Sequence, residues 1–205
     1  MRLPSDRRLG HDRAMLLTYA MGVSLDGYVM GPDGRFDWSR PDAEVFDHAL
    51  EQVRGLSVHL LGRRLYETML FWEGAEENPE LDDAEREFAR VWQALPKVVF
   101  SRSLTAAEGS NTRLATRPLA EEIAALRAGE GVEGRTGDMA IGGPELAHQA
   151  AALGLIDEYA PRIHPVLVGG GTPYFAPGGP QVELELVETR TSACGVLLQR
   201  HRVRR

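Results

Sequence analysis

"DMAIGGPELA", residues 138–147, closes an apolar run with Gly142 and Gly143 and follows them at once with Pro144. The order predicts a β-strand that ends on bare backbone and turns directly into a helix, because proline suits a first helical turn, where no intrahelical N–H bond is lost. Two readings of the glycine pair stay open on this stretch alone. One is a tight turn. The other is an anion site: glycine lets phosphate oxygens approach the backbone closely, and a helix start presents free N–H groups. The stretch matches neither the GxGxxG nor the P-loop pattern.

Working outward, strand patterns and helix patterns alternate along the whole chain, which is the signature of an α/β sheet. "MLLTYAMGV" (15–23) predicts a buried strand, and "SLDGYVMGPDGRFDW" after it, rich in Gly, Pro and Asp, predicts a loop. "PDAEVFDHALEQVR" (41–54) carries Val45, Phe46, Ala49, Leu50 and Val53 at helical spacing. "VHLLG" is a strand feeding a helix at "RRLYETMLFW", and the acidic stretch 73–87 is a solvated loop leading into a helix that ends near Trp92. "KVVFS" and "TRLAT" predict strands, "PLAEEIAALRA" and "PELAHQAAALG" helices, and "IDEYAPRIHPVLV" (156–168) one long strand. "LVGGGTPYF" (167–175) is a wide bend, and "VELELVETRTSACGVLLQRHRV" two strands around a turn. The opening "MRLPSDRRLGHDRA" is polar and aperiodic, so residues 1–13 are expected to be a disordered arm before one domain spanning 14–205.

Composition narrows the function. The 205 residues carry a formal net charge of -7, which argues against general affinity for nucleic acid, whose backbone selects basic surfaces. Any anion site is therefore local. The six histidines show no metal-ligand spacing and Cys194 is the single cysteine, so no metal site and no internal disulfide are expected. No run approaches the roughly 18 apolar residues of a membrane span, and a cytoplasmic protein with no membrane partner is the expectation.

Three strand ends carry polar or glycine signals: Gly62, Arg63 and Arg64 in "HLLGRRLYE", Ser101 and Arg102 in "VVFSRS", and the Gly142–Gly143 pair. In open α/β sheets ligands bind outside the carboxyl ends of strands, so three such ends together suggest a phosphorylated ligand. Read singly, each has a plainer account. Arginines at a helix start are usually surface residues of little net effect, and Ser-Arg-Ser is also turn chemistry.

Taken in order, "MGVSLDGYVMGPDGRFDW", "HLLGRRLYE", "PKVVFSRSL", "DMAIGGPELAHQAAALGLIDEYAPRIHPVLVGGGTPYF" and the closing hairpin resemble the dihydrofolate-reductase-like family, and within it the C-terminal reductase domain of riboflavin biosynthesis deaminase-reductases and its stand-alone relatives. The resemblance implies a three-layer α/β/α fold, a mostly parallel central sheet with a C-terminal antiparallel hairpin. It implies NADPH as cofactor. Gly142 and Gly143 would lie against the pyrophosphate, between Ile141 and the helix opening at Pro144, Glu145 and Leu146. Arg63, after the strand glycine Gly62 and beside Arg64, would reach the 2'-phosphate, Ser101 and Arg102 would line the adenosine side, and backbone at Gly22 would hold the nicotinamide carboxamide.

The substrate side departs from both branches. Where dihydrofolate reductases carry a carboxylate after the first loop, the nearest positions are Asp42, Ala43 and Glu44; where the riboflavin-pathway reductases carry an acidic residue before the Gly-Pro pair, this chain has Ile141. Asp26 is the candidate catalytic residue, with a turn-forming Asp-Gly as the plainer account, and Asp37 and Trp38 are the candidate substrate contacts. The expected activity is an NADPH-dependent hydride transfer to a small pyrimidine- or pteridine-like heterocycle. A non-catalytic cofactor-binding module on the same fold is the alternative. A homodimer is expected through apolar residues of the 155–168 segment and the closing hairpin.

Overall fold

The computed structural model describes residues 15–205, so the arm expected at residues 1–13 lies outside the described residues. The apolar run after Met15 becomes β1 (Leu17–Ser24). Its side chains alternate between faces, as a strand requires. Leu17, Tyr19 and Val23 are buried in one core, while Gly22 turns toward Ser39 and His164 on the opposite side.

Four further short strands run parallel around it: β3 (Leu56–Gly62), β4 (Lys97–Phe100), β5 (Thr112–Leu114) and β6 (Asp138–Gly142). On its other flank lie β7 (Glu158–His164), also parallel, then the antiparallel pair β9 (Leu184–Thr191) and β10 (Leu197–Val203). The eight-stranded order is β5-β4-β3-β6-β1-β7-β10-β9. Parallel strands need crossovers, and helices supply all of them except the loop from β4 to β5.

On one face lie α1 (Ala43–Arg54), α2 (Arg63–Met69) and α3 (Asp83–Ala94), whose Leu50, Tyr66, Phe88 and Trp92 pack with Leu61 and Val99 of the sheet. On the other face α4 (Leu119–Arg127) and α5 (Pro144–Ala152) bring Ile123, Leu126, Leu146 and Ala150 onto Leu17, Val58, Met139 and Ile141. This is the three-layer arrangement expected from the sequence. Burying each large side chain contributes roughly 1.5–3 kcal/mol. The helix starts are specified locally: Asp42 accepts from the Val45 amide at 2.9 Å to cap α1, and Asp82 with Glu85 forms a capping box on α3.

Two expectations need correction. The strand expected over 156–168 runs only from Glu158 to His164, because Pro165 follows at once and has no N–H with which to continue a ladder. The loop expected after β1 contains β2 (Tyr28–Met30), which pairs antiparallel with β8 (Thr172–Pro173) from the 167–175 bend. Gly171 makes that pairing possible: at φ +117 it presses against the Met30 and Gly31 backbone, where a Cβ would overlap.

Candidate functional site

The glycine signals of two strand ends meet. β3 and β6 are neighbours, with Leu61 opposite Gly142, and each runs straight into a helix whose N-cap is glycine: Gly62 for α2, Gly143 for α5. Gly143 sits at φ +90, and a Cβ there would be 3.4 Å from the Gly62 Cα. A Cβ on Gly142 would collide with the Leu65 side chain and lie 3.1 Å from His59 Nε2. The pair therefore has a packing role of its own, which is to let two strand-to-helix junctions press together. The same packing sets two helix starts side by side. In α5 the first backbone bond runs from the Ala147 N–H to the Gly143 carbonyl, so the N–H groups of Glu145 and Leu146 point out of the helix end, where the dipole is positive.

The flanking charges are unequal. Arg63 pairs with Glu67 at 2.9 Å on the exposed side of α2, and Arg64 reaches Glu145 at 3.1 Å, tying the first turns of α2 and α5 together. Ser101 turns its hydroxyl inward to accept from the Ser103 and Leu104 amides. Arg102 is exposed and makes no ion pair among the described residues. Gly62 lies opposite Phe100, so Arg63 and Arg102 extend directly beyond one matched pair of neighbouring strands.

The first loop is fastened by Asp26. Its carboxylate accepts from the Ser24 hydroxyl at 2.6 Å and from the amides of Gly169 at 2.7 Å and Val168 at 3.2 Å. The Ser24 bond, and after it the Gly169 and Val168 amides, hold the carboxyl below the usual range. The same bonds make Asp26 an anionic clamp between two loops. Asp37 forms an exposed pair with Arg35 at 2.7 Å. Trp38 is half-buried, meets the His164 ring edge-on at 5.6 Å, and its indole Nε1 is buried without a protein acceptor.

A second group of polar residues gathers beneath α1. Arg162 lies opposite Gly22 in the β1–β7 register, and its guanidinium donates to Gln52 Oε1 at 3.1 Å. His164 follows on the same strand face, 3.5 Å from where a Gly22 Cβ would stand. Burial first, then the Arg162 charge, pushes the imidazoles of His164 and His48 below their ordinary range. His59, with both ring nitrogens buried and no partner, is pushed down to about 3 by burial, then by Lys97 and Arg162. His48 and Gln52 also wall a cavity of about 290 Å³ between α1 and β9–β10. Sequence reasoning missed Arg162, His164, His48, His59 and Gln52. One signal was present: Arg162 and His164 stand two apart in a strand that should be apolar on both faces if it were merely central and parallel. The acids at the start of α1 are committed elsewhere, Asp42 to its cap and Glu44 to the Ala193 amide at 2.8 Å.

Among the described residues no cluster suited to a metal ion occurs and no helix is long and apolar enough to cross a membrane. A family model for the RibD C-terminal domain matches residues 15–198. An uncharacterized protein of Bacillus subtilis, YyaP, is 30% identical over 178 residues, covering 86% of this chain and 89% of that one. A putative riboflavin biosynthesis protein from Shewanella sp. PV-4 superposes with a TM-score of 0.70 at 21% identity, over 93% of this chain and 100% of the other. Dihydrofolate reductase from Enterococcus faecalis, complexed with NADP(H) and RAB-propyl, superposes with a TM-score of 0.56 at 15% identity, over 93% and 97%. The fold is dihydrofolate reductase-like.

Proposed function

We propose that this chain, which belongs to the RibD C-terminal domain family, is a reductase that binds NADPH across the strand ends of β3, β4 and β6 and reduces a small heterocycle held beneath α1. The observation that carries the reading is the pair of glycine-capped junctions at Gly62 and Gly143, pressed together with two helix starts open and arginines on the neighbouring ends. Bare backbone and outward N–H groups suit a pyrophosphate. Arg63 and Arg102 suit the 2'-phosphate, since a guanidinium grips an oxyanion in a two-pronged fork.

When bound, NADPH would supply a hydride. The chain's own residues do the positioning. Gly22 offers backbone without a side chain beside His164, Trp38 closes the edge of the same space, and Asp26 holds the 24–31 and 167–171 segments against each other. With Asp26 held ionised, the proton that completes reduction comes from solvent. Steady oxidation of NADPH with any member of a pteridine, pyrimidine and quinone panel tests the reading.

One observation favours a second reading, a non-catalytic cofactor-binding module. Asp26, Asp37, Asp42 and Glu44 all have structural partners, so none of the acids of the first loop and the start of α1 is free to serve a substrate. Tight NADPH binding with no turnover across the panel would select it. The reading places the protein in the cytoplasm and includes a homodimer through the closing hairpin, whose edge strand β9 exposes Leu186 and Val187; the expected 155–168 segment does not offer the same surface, because β7 lies inside the sheet between β1 and β10, and a sedimenting species of 22.6 kDa would remove the dimer.

A further inference from the structure

Arg162 stands apart from the other arginines of the sheet. Arg113, Arg200 and Arg202, for example, each meet Glu122 or Glu158, whereas Arg162 is tied to one neutral amide oxygen, that of Gln52, and to no carboxylate among the described residues. A guanidinium carries five N–H donors. Taking it out of water without a counter-charge is costly, and such groups are normally paired or hydrogen-bonded throughout. Its neighbours on the strand face and on α1 are neutral and planar, while the cavity that Gln52 also lines adds Glu51, Glu188, Arg190 and Arg200. His164 lies two residues along the same strand face, Trp38 meets that ring edge-on with its own N–H lacking an acceptor, and His48 stands one turn before Gln52 on α1. Gly22, opposite Arg162 in register, brings only backbone to the group, and a Cβ there would already touch Ser39 and His164. The acids nearby face outward or are occupied: Glu188 meets Arg200 at 3.5 Å, and Glu51 is exposed.

We infer that Arg162 is a specificity-determining residue of the cleft beneath α1, and that it takes the carboxylate of a planar heteroaromatic acid. The inference rests on the reductase reading for its setting and deepens it by naming the substrate class. Charge decides between oxyanions. One unpaired guanidinium balances a carboxylate, while a phosphate carries close to two negative charges, and the other cations are engaged: Arg200 with Glu158 and Glu188, Arg190 with Glu44, and Lys97, the one lysine of the chain, with the Trp92 and Leu95 carbonyls. Shape agrees, since a flat ring suits neighbours that are themselves imidazoles and an indole.

The test uses the full chain, with orotate, uracil and inorganic phosphate as calorimetric probes at saturating NADPH and again without it. Orotate and uracil share a ring and differ by the carboxylate. Orotate is expected to bind about ten- to a hundred-fold more tightly than uracil, as a charged hydrogen-bonded pair implies, and Arg162→Gln to erase that gap. Arg162→Lys keeps the charge without the fork and should retain only part of it, which keeps the test readable if Arg162→Gln unfolds. Equal binding of orotate and uracil, a gap that survives Arg162→Gln, or phosphate bound more tightly than orotate would each overturn the inference. NADPH titrated into the same proteins separates the two readings: if wild type fails to bind NADPH, the reductase proposal falls while the orotate gap still reports on Arg162.

Discussion

The two halves of the candidate site are built on different logic. At the ends of β3 and β6 the essential residues are glycines and the residues next to them in the chain, so geometry follows from sequence neighbours: Gly62 before Arg63, Gly143 before Pro144. Beneath α1 the cluster joins Gly22, Trp38, His48, Gln52, Arg162 and His164, drawn from four separate segments. Backbone chemistry serves a ligand part common to many enzymes, whereas side-chain chemistry serves a part that differs between them. If the first half is the cofactor end and the second the substrate end, the former is specified locally and the latter by tertiary assembly.

The largest expected effect breaks or keeps the first half. If Arg63 and Arg102 grip the 2'-phosphate, the double variant Arg63→Ala, Arg102→Ala should lose about two to four powers of ten in NADPH affinity, at roughly 1.5–3 kcal/mol per charged hydrogen bond. NADH should bind almost unchanged. Arg102 should carry the larger share, because Arg63 must first give up Glu67. Calorimetric titration of each single variant with both cofactors checks it, and equal losses for NADPH and NADH would return both arginines to the surface.

What was legible follows from the same contrast. Hydrophobic period and glycine punctuation place β1, β3, β4, β6 and their helices, because a buried parallel strand and an amphipathic helix each leave a one-dimensional trace. β2 and β8 left none. Each is too short to show a period, and their pairing depends on Gly171 meeting a backbone 140 residues earlier in the chain. Asp26 was legible as a residue of consequence, but its role in fastening two loops was not, because its partners Val168 and Gly169 lie across the fold. Arg162 and His164 were hidden inside a stretch taken as one long strand, since only the packing of α1 shows which face of β7 they share.

A pair of matched substitutions sharpens the comparison at intermediate size. Gly143→Ala forces a side chain into φ +90 and against Gly62, and strain of this kind costs about 1–3 kcal/mol. Gly22→Ala places its methyl in ordinary contact, 3.4 Å from Ser39 and 3.5 Å from His164, and should change stability by less than about 0.5 kcal/mol. Its effect should fall on ligands held beneath α1. Urea midpoints for both variants are the measurement. If Gly22→Ala proves the more destabilising, Gly22 serves the core and the second half of the site loses its floor.

The smallest effect concerns the field of Arg162 itself. His59 titrates near 3 in the fold, held there by burial and then by Lys97 and Arg162, and near 6.5 when unfolded. Between those values the unfolded chain binds a proton that the folded chain refuses, so stability should fall as pH drops below about 6.5, by up to about 1.4 kcal/mol per pH unit. His164 and His48 are shifted the same way and add to the slope. Above pH 6.5 all three are neutral in both states and contribute none. Urea midpoints at pH 7.0 and 5.5 for wild type and His59→Gln isolate the buried ring: the wild type should lose about 1 kcal/mol more over that step. In Arg162→Gln the acid-induced loss should shrink, because one of the charges opposing protonation is gone. An unchanged slope in both variants would mean that the three imidazoles are indifferent to the guanidinium, and the cluster beneath α1 would then be neighbours in space without acting together.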